Sequence, residues 1–492
     1  MKRHLFILLC WLCSLSVFSQ YAQDSMLVLT LEKAIEIARE QSPDAWSARH
    51  SFRSQYWSYC YYKANYLPSL NFTSTPNFNH SINAITLPDG TSRFVQQNMV
   101  MTDANFSVIQ NIALTGGSLY LRSSIQRMDM LTDKTISYMT RPLLIGYDQS
   151  LFGYNALKWD RKIEPIRFEA AKKSYVETME LVSSKATTKF FNLARAQTNL
   201  KIARFNYAHA DTLYTFAKGR YDIGTITENE LLQLEINRLK EESDMLNYQI
   251  DVDDYMQDFR AYLGINEAVD IIVEIADEVP QFIVDLNMAL QLAFENHPDV
   301  LTIQRRKLES ESRVAYAKAT TGLRTDIYAQ FGLTQTGEEL SAAYKNPLNQ
   351  QYVQLTIRLP ILDWGRGKGQ VRLAQSNRDM VFTQEEQNLS NFEQNVVRIV
   401  KQFNLQTGKV VIASKMAETA ERRNEVARKL YLLEKSTILD LNSSIKDKDT
   451  AMQNYVNSLY NYWSLYYMLR SLTLFDFVKN IALTEDYETL IK

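Results

Sequence analysis

The chain states one pattern twice. The segment from Thr30 to Asp44, TLEKAIEIAREQSPD, returns 255 residues later as DLNMALQLAFENHPD, from Asp285 to Asp299. Leu31, Ala34, Ala38, Glu40 and Pro43-Asp44 keep register with Leu286, Ala289, Ala293, Glu295 and Pro298-Asp299. Farther along, Leu151-Phe152-Gly153 aligns with Ile361-Leu362-Asp363, and Arg220-Tyr221-Asp222-Ile223-Gly224 with Leu430-Tyr431-Leu432-Leu433-Glu434, now at an offset of 210. The 45 residues separating the two offsets are extra sequence in the first copy, between about Phe72 and Gln149. A duplication with one long insertion demands an architecture of two similar halves. The expected organisation is a first repeat over 24–264 with an inserted hairpin at about 100–128, a linker over 265–283, a second repeat over 284–478 and a tail over 479–492.

The start of the chain carries a different signal. Met1-Lys2-Arg3-His4 is basic, Leu5 to Val17 is apolar, and Val17-Phe18-Ser19 before Gln20 offers small residues for cleavage, so residues 1–19 read as a secretory signal peptide. The apolar run is shorter than the roughly 20 residues of a spanning helix, and no comparable run follows it. Cys10 and Cys13 belong to that signal, which leaves Cys60 without an intrachain disulfide partner. Loss of Lys2 and Arg3 moves the formal charge from −2 to −4, a balance that points away from nucleic acid and from a basic membrane-binding surface.

The middle of each copy is helical. Tyr175, Met179, Val182, Ala186, Leu193, Ala196, Leu200, Ala203, Tyr207, Ala210, Tyr214, Ala217 and Tyr221 recur at steps of four and three, interrupted where Lys189 occupies the stripe. The same stripe reappears 210 residues on, from Leu389, Phe392 and Val396 to Ala427 and Tyr431, with Gln406 and Asn424 as polar interruptions. A 3.5-residue period is a coiled-coil seam. Helices of about 65 residues would each be on the order of 100 Å long. Each ends in a short break and turns into a return helix, about Thr227 to Leu263 and Thr437 to Phe475, so each half contains an extended helical hairpin. The hairpin tips fall at Gly224, a candidate C-cap, and at Glu434, where the second copy lacks the glycine and the turn should differ in detail.

Between the short and the long helix of each half lie alternating segments. Leu70 to Ser74 and Leu144 to Ser150 flank the region in the first copy; Asp326 to Leu333 and Val353 to Leu359 do so in the second. Alternation of apolar and polar residues suits a wall with lipid on one side and water on the other. The insertion adds Phe106 to Leu114, a turn at Thr115-Gly116-Gly117-Ser118, and Leu119 to Arg122, which read as a further hairpin. Four principal strands cannot close a barrel in lipid, so the chain must oligomerise. Three copies would supply twelve strands, with the inserted hairpins either widening the barrel or decorating its mouth.

The duplicated helix–strand–strand–helix layout, the signal peptide, Leu359-Pro360-Ile361-Leu362-Asp363-Trp364-Gly365 after a strand, and Arg220-Tyr221-Asp222-Ile223-Gly224 at the helix turn together resemble the TolC-like outer-membrane efflux family. The resemblance covers roughly Leu29 to Phe477. It implies an α+β membrane protein: a homotrimer with a twelve-stranded or larger outer-membrane barrel, continued by a coiled-coil tunnel across the periplasm. It also implies a passive exit duct for an efflux pump or type I secretion system. The implied partners are a periplasmic adaptor, an inner-membrane transporter and outer-membrane lipid, with no cofactor and no nucleic acid. Family members close the periplasmic end with two aspartate rings after the second helix turn; Asp440 matches the first, and Ser443 stands at the second. Tyr431 and Glu230 match polar links between the hairpins, while Ser436 stands where an arginine is expected. Three Asp440 carboxylates around an axis would favour cations and metal-ion block.

Other motifs weigh less. Gly365-Arg366-Gly367-Lys368-Gly369 lacks the Ser or Thr and the first glycine of a phosphate loop and reads as a strand-to-helix turn. Met99, Met101, Met128 and Met130 form two Met-x-Met pairs that could bind Cu(I), but such pairs are more often apolar strand or loop residues, and that is the expectation. His50, His80, His209 and His297 show no ligand spacing. Tyr56, Trp57, Tyr59, Tyr61, Tyr62 and Tyr66 suit an interfacial belt or ordinary packing; Tyr460, Tyr462, Trp463, Tyr466 and Tyr467 suit a core. No nucleophile–base set points to an enzyme. The rival to the duct is a soluble periplasmic scaffold or adaptor, against which the alternating strands speak.

Overall fold

A computed structural model describes residues 27–265, 269–276, 279–433 and 435–491; the expected signal peptide, Cys10, Cys13 and Glu434 lie outside them. The elements run β1 (Leu27–Thr30), α1 (Leu31–Gln41), α2 (Pro43–Ala64), β2 (Ser69–Thr86), β3 (Ser92–Ile112), β4 (Gly117–Met130), β5 (Thr135–Ser150), α3 (Ala156–Asp222) and α4 (Glu228–Leu263). The second copy follows with β6 (Ile271–Glu274), α5 (Leu286–Asn296), α6 (Pro298–Thr321), β7 (Arg324–Gly337), β8 (Leu348–Arg358), α7 (Arg366–Leu432) and α8 (Ile438–Thr473). The long helices α3 and α7 have 67 residues each and the return helices α4 and α8 have 36 each, every boundary offset by 210. The chain divides into two compact units that cut across the copies rather than separating them.

The helical unit comprises 27–51, 173–297 and 393–490 of the described chain. Its seam is the predicted one: Met179, Val182, Ala186, Leu193, Ala196, Val396, Ile399 and Phe403 are buried. The three polar interruptions of the stripe are each bound to the return helix. Lys189 pairs with Asp258 at 2.6 Å, Gln406 donates to the carbonyl of Ser458 at 3.0 Å, and the Ser444 hydroxyl donates to Asn424 Oδ1 at 3.2 Å. A one-step slip of either hairpin would leave these groups without partners, so they fix register as a polar residue in a coiled-coil seam does. Asn206 with Asp449 (2.8 Å), Gln453 with Asn199 (3.1 Å) and Arg195 with Asn457 (3.2 Å) join α3 to α8. Tyr462 and Tyr466 are buried around Phe403 and Phe282, and Tyr467 is buried against Tyr466, the core role expected of them.

The second unit, 52–172 with 298–392, holds a single antiparallel sheet in the order β2-β3-β4-β5-β7-β8. The four expected principal strands and the inserted hairpin together make its six. The inserted hairpin is β3–β4, and it lies within the sheet between β2 and β5, so it widens the wall instead of decorating it. Its strands are also longer than the expected 100–128, and β2 runs to Thr86 rather than ending at Ser74. An antiparallel sheet accepts such an insertion because a hairpin brings one new edge for each neighbour it separates. The segments β2 and β8 are left as edges. Proline at 76 is compatible with the edge position of β2.

Register makes the sheet two-faced. One row runs Leu70, Val108, Leu121, Ile145, Phe331 across five strands; the adjacent row on the opposite face begins Asn71, Ser107, Arg122. On the polar face Tyr120 lies across Gly146, where a Cβ would come within 2.0 Å of its ring, and donates to the Tyr328 hydroxyl at 2.5 Å. A side chain at residue 146 would evict the tyrosine. In α2, Tyr59 stacks on Phe168 with 4.4 Å between centroids and the Tyr66 hydroxyl donates to the carbonyl of Leu157 at 2.8 Å, while Trp57 and Tyr61 are exposed one turn apart. The packing expectation thus holds for Tyr59 and Tyr66.

Candidate functional site

The tip residues singled out from sequence are held by backbone physics first. After α3, Gly224 adopts φ +74, its N–H donates to the carbonyl of Tyr221 at 2.8 Å, and Thr225 N–H donates to that of Arg220 at 2.9 Å. This is the Schellman pattern that satisfies the last carbonyls of a helix. In the second copy Lys435 N–H donates to Leu430 at 2.9 Å, the bond 210 residues on from Thr225 to Arg220, so that part of the turn recurs without a glycine.

Each return helix then opens on a capping box. Thr227 Oγ1 accepts from Glu230 N–H at 3.3 Å, and Glu230 accepts from Thr227 N–H at 3.0 Å. Thr437 Oγ1 accepts from Asp440 N–H at 3.2 Å, and Asp440 accepts from the Thr437 N–H at 3.3 Å and its hydroxyl at 2.6 Å. Glu230 and Asp440 are therefore equivalent positions of the two copies, offset by 210. The sequence signal, Thr-x-x-Glu or Thr-x-x-Asp before a helix, was present and went unread as a cap. The Thr437 hydroxyl, then its backbone N–H, hold the exposed Asp440 carboxyl below the usual carboxylate range. Ser443 is exposed one turn on, and Tyr431 is half-buried. Among the described residues no hydrogen bond links Tyr431 to Glu230; Glu230 is engaged with its own N-cap.

A buried ionic cluster went undetected in the sequence. Glu180, almost fully buried, accepts from Arg39 at 2.9 Å and from Arg470 Nε at 2.7 Å; Arg470 also pairs with Asp476 at 2.9 Å, and Arg39 pairs with Glu485. Burial alone would raise the Asp476 carboxyl, but the backbone N–H of Lys479, the Tyr466 hydroxyl and Arg470 outweigh it and leave it below the ordinary range. These residues are separated by up to 446 positions, with no local motif to announce them.

The glycine-rich segment after β8 is the expected strand-to-helix turn. Asp363 accepts from the N–H groups of Gly365 (2.9 Å) and Gly367 (2.8 Å), and so caps α7. Among the described residues no group of three or more His, Cys, Asp or Glu side chains could hold a metal ion, and no helix is long and apolar enough to cross a membrane.

No protein-family model matches the sequence, and no curated protein matches it. Solved structures do. The outer membrane channel CmeC of Campylobacter jejuni superposes with a TM-score of 0.67 at 15% identity, covering 94% of this chain and 88% of that one. The outer membrane protein VceC of Vibrio cholerae gives 0.62 at 14% identity (90% and 95%), and the open-state MtrE outer membrane channel of Neisseria gonorrhoeae gives 0.61 at 14% (93% and 90%). The chain has the TolC-like fold of these channels, over nearly its whole described length.

Proposed function

We propose that the protein is an outer-membrane exit duct: a homotrimer whose sheets close into a barrel and whose helical hairpins form a periplasmic tunnel. The observation that carries this reading is the two-faced sheet with two open edges. Leu70, Phe72, Phe78 and Ile82 of β2 and Val353, Leu355 and Ile357 of β8 are more than half exposed, on a chain without another element to cover them among the described residues. Apolar faces of this size belong in lipid, and open edges are not tolerated there, so β2 of one copy must meet β8 of the next. A soluble scaffold would have no use for either feature. Three copies of six strands make eighteen, the wider of the two barrels that the sequence allowed. At a strand spacing of about 4.8 Å and a tilt of about 40°, the barrel would be about 36 Å across instead of about 24 Å.

The duct catalyses nothing; energy and cargo choice come from an inner-membrane transporter reached through a periplasmic adaptor, in an efflux pump or a type I secretion system. Asp440 is the residue for the periplasmic constriction. Its exposure and lowered pKa keep it charged, and threefold symmetry would set three such carboxylates around the axis. Ser443 leaves the second ring neutral, and Tyr431 and Glu230 flank the tips at Gly224 and Glu434. Purified protein in a planar bilayer tests the whole reading, with its mass measured in detergent. A trimer with cation-selective current, reduced in selectivity by Asp440→Ala and opened by Tyr431→Phe, is expected. A monomer without current would remove the duct and revive the scaffold.

A further inference from the structure

The two Met-x-Met pairs lie in strands, as expected, yet pairing brings all four methionines together. Register sets Met101 opposite Met128 and Met99 opposite Met130 on β3 and β4. Residues two apart on a strand share a face, so the four form a two-by-two block. It lies on the polar face: the neighbours in the same rows are Asn77 and Asn79 on β2, and the next row holds Asp103 opposite Gln126. Gln126 in turn faces Met139 on β5. The block is half-buried and already engages a donor, since Gln126 Nε2 lies 2.7 Å from Met101 Sδ. Methionine serving only as apolar filling belongs on the other face, with Val100, Val108 and Leu121. Here it stands among amides, hydroxyls and a carboxylate, beside the β4–β5 turn at Leu131.

We propose that Met99, Met101, Met128 and Met130 form a binding site for a soft monovalent cation, Cu(I) or Ag(I). Directly opposed side chains in a sheet have Cβ atoms about 5 Å apart, and the flexible thioether arm lets four sulfurs converge on one ion. Neutral thioethers select soft metals over Zn2+, Mg2+ and Ca2+, which prefer imidazole, thiolate or oxygen. Asp103, one row away, supplies a compensating negative charge. No electron transfer is involved; the ion binds and leaves as M+. That this face borders the aqueous interior near the outer mouth rests on the duct reading, whereas the site itself rests on register alone.

The test uses Ag(I), which is redox-inert, on the full chain carrying Cys10→Ser, Cys13→Ser and Cys60→Ser so that no thiol competes. Isothermal titration should give one Ag(I) per chain. Met101→Leu/Met128→Leu, a volume-conserving change, should weaken binding by about tenfold or more with assembly mass and conductance unchanged. Met99→Leu/Met130→Leu should do the same. Superimposable titrations of parent and both variants, or no Ag(I) uptake by the parent, would overturn the site. Ag(I) binding by a protein that carries no current would keep the site and reject the duct; current without Ag(I) binding would do the reverse.

Discussion

The two copies of the repeat agree in their long hairpin helices to the residue and disagree in their strands by a factor of two. Each has a 67-residue helix, a capped turn and a 36-residue return, while the first contributes four strands to the sheet and the second only two. The difference follows from how each element is held. A helical hairpin is locked by a continuous seam and by buried polar contacts such as Lys189–Asp258 and Gln406–Ser458, so an insertion would throw every later contact out of register. An antiparallel sheet is locked strand by strand, and a whole hairpin enters without changing any other pairing. Growth is therefore permitted in the wall and forbidden in the seam.

Removing residues 92–130 gives the sharpest test, because it makes the first copy like the second. Residues 87–91 followed by 131–134 would then join β2 to β5, and each chain would supply four strands. The expected product is a trimer with a pore of about four-ninths the barrel cross-section, since diameter scales with strand number. The barrel diameter of the deleted form against that of the intact trimer measures it. Loss of assembly would mean that β3–β4 is integral to the wall and the independence of the sheet's growth is wrong.

Next in size is the ionic cluster, which joins the first copy (Arg39, Glu180) to the second (Arg470, Asp476) and is not repeated at the 210 offset. Glu180 corresponds to Ser390 at the 210 offset, and Arg470 to Arg260, which instead donates to the carbonyl of Val269 at 3.2 Å. Glu180→Ala should cost about 3–5 kcal/mol, because two guanidinium groups lose a buried partner. Ser390→Ala should cost less than about 0.5 kcal/mol. Denaturant unfolding monitored by circular dichroism compares them, and equal costs would contradict the asymmetry. Asp476 adds an acid dependence. Its folded pKa is below the unfolded value, so its contribution is present above the unfolded pKa, near 4, and is lost as pH falls through the folded value.

The sequence made the helices legible because duplication and a 3.5-residue stripe extend over dozens of positions. The wall was only half legible. Asn71, Thr73, Thr75, Asn77 and Asn79 lie on the polar face of β2, and asparagine is depleted in ordinary strands, so the segment after Ser74 reads as loop unless a water-filled interior is assumed. Its other face, Leu70, Phe72 and Phe78, keeps the period of two, but Pro76 breaks the impression of a strand until the edge position is known. At the tips, Gly224 was readable from its own conformational freedom. Gly224→Ala should destabilise the first hairpin by about 1–2 kcal/mol, because φ +74 sets a Cβ against the backbone. The Glu180 cluster was illegible because its members meet only through tertiary packing.

The smallest effects decide whether the two tips differ in purpose as well as in sequence. Thr227→Ala and Thr437→Ala each remove one capping box of the same geometry, and each should cost about 1 kcal/mol. Equal costs with unequal conductance changes would separate capping from gating: a cap serves its own helix in either copy, whereas only the Asp440 tip is expected to line the constriction. Acid sharpens the point. Thr437 holds the Asp440 carboxylate ionised to lower pH than usual, so cation selectivity should persist on acidification until the pH falls through that lowered value. In Thr437→Ala the two strongest of these hydrogen-bond contributions are weakened or lost, the carboxyl returns toward its ordinary range, and selectivity should fade at a higher pH. A selectivity profile that does not move between parent and Thr437→Ala would assign Asp440 to helix capping alone, and the second tip would then be no more than a copy of the first.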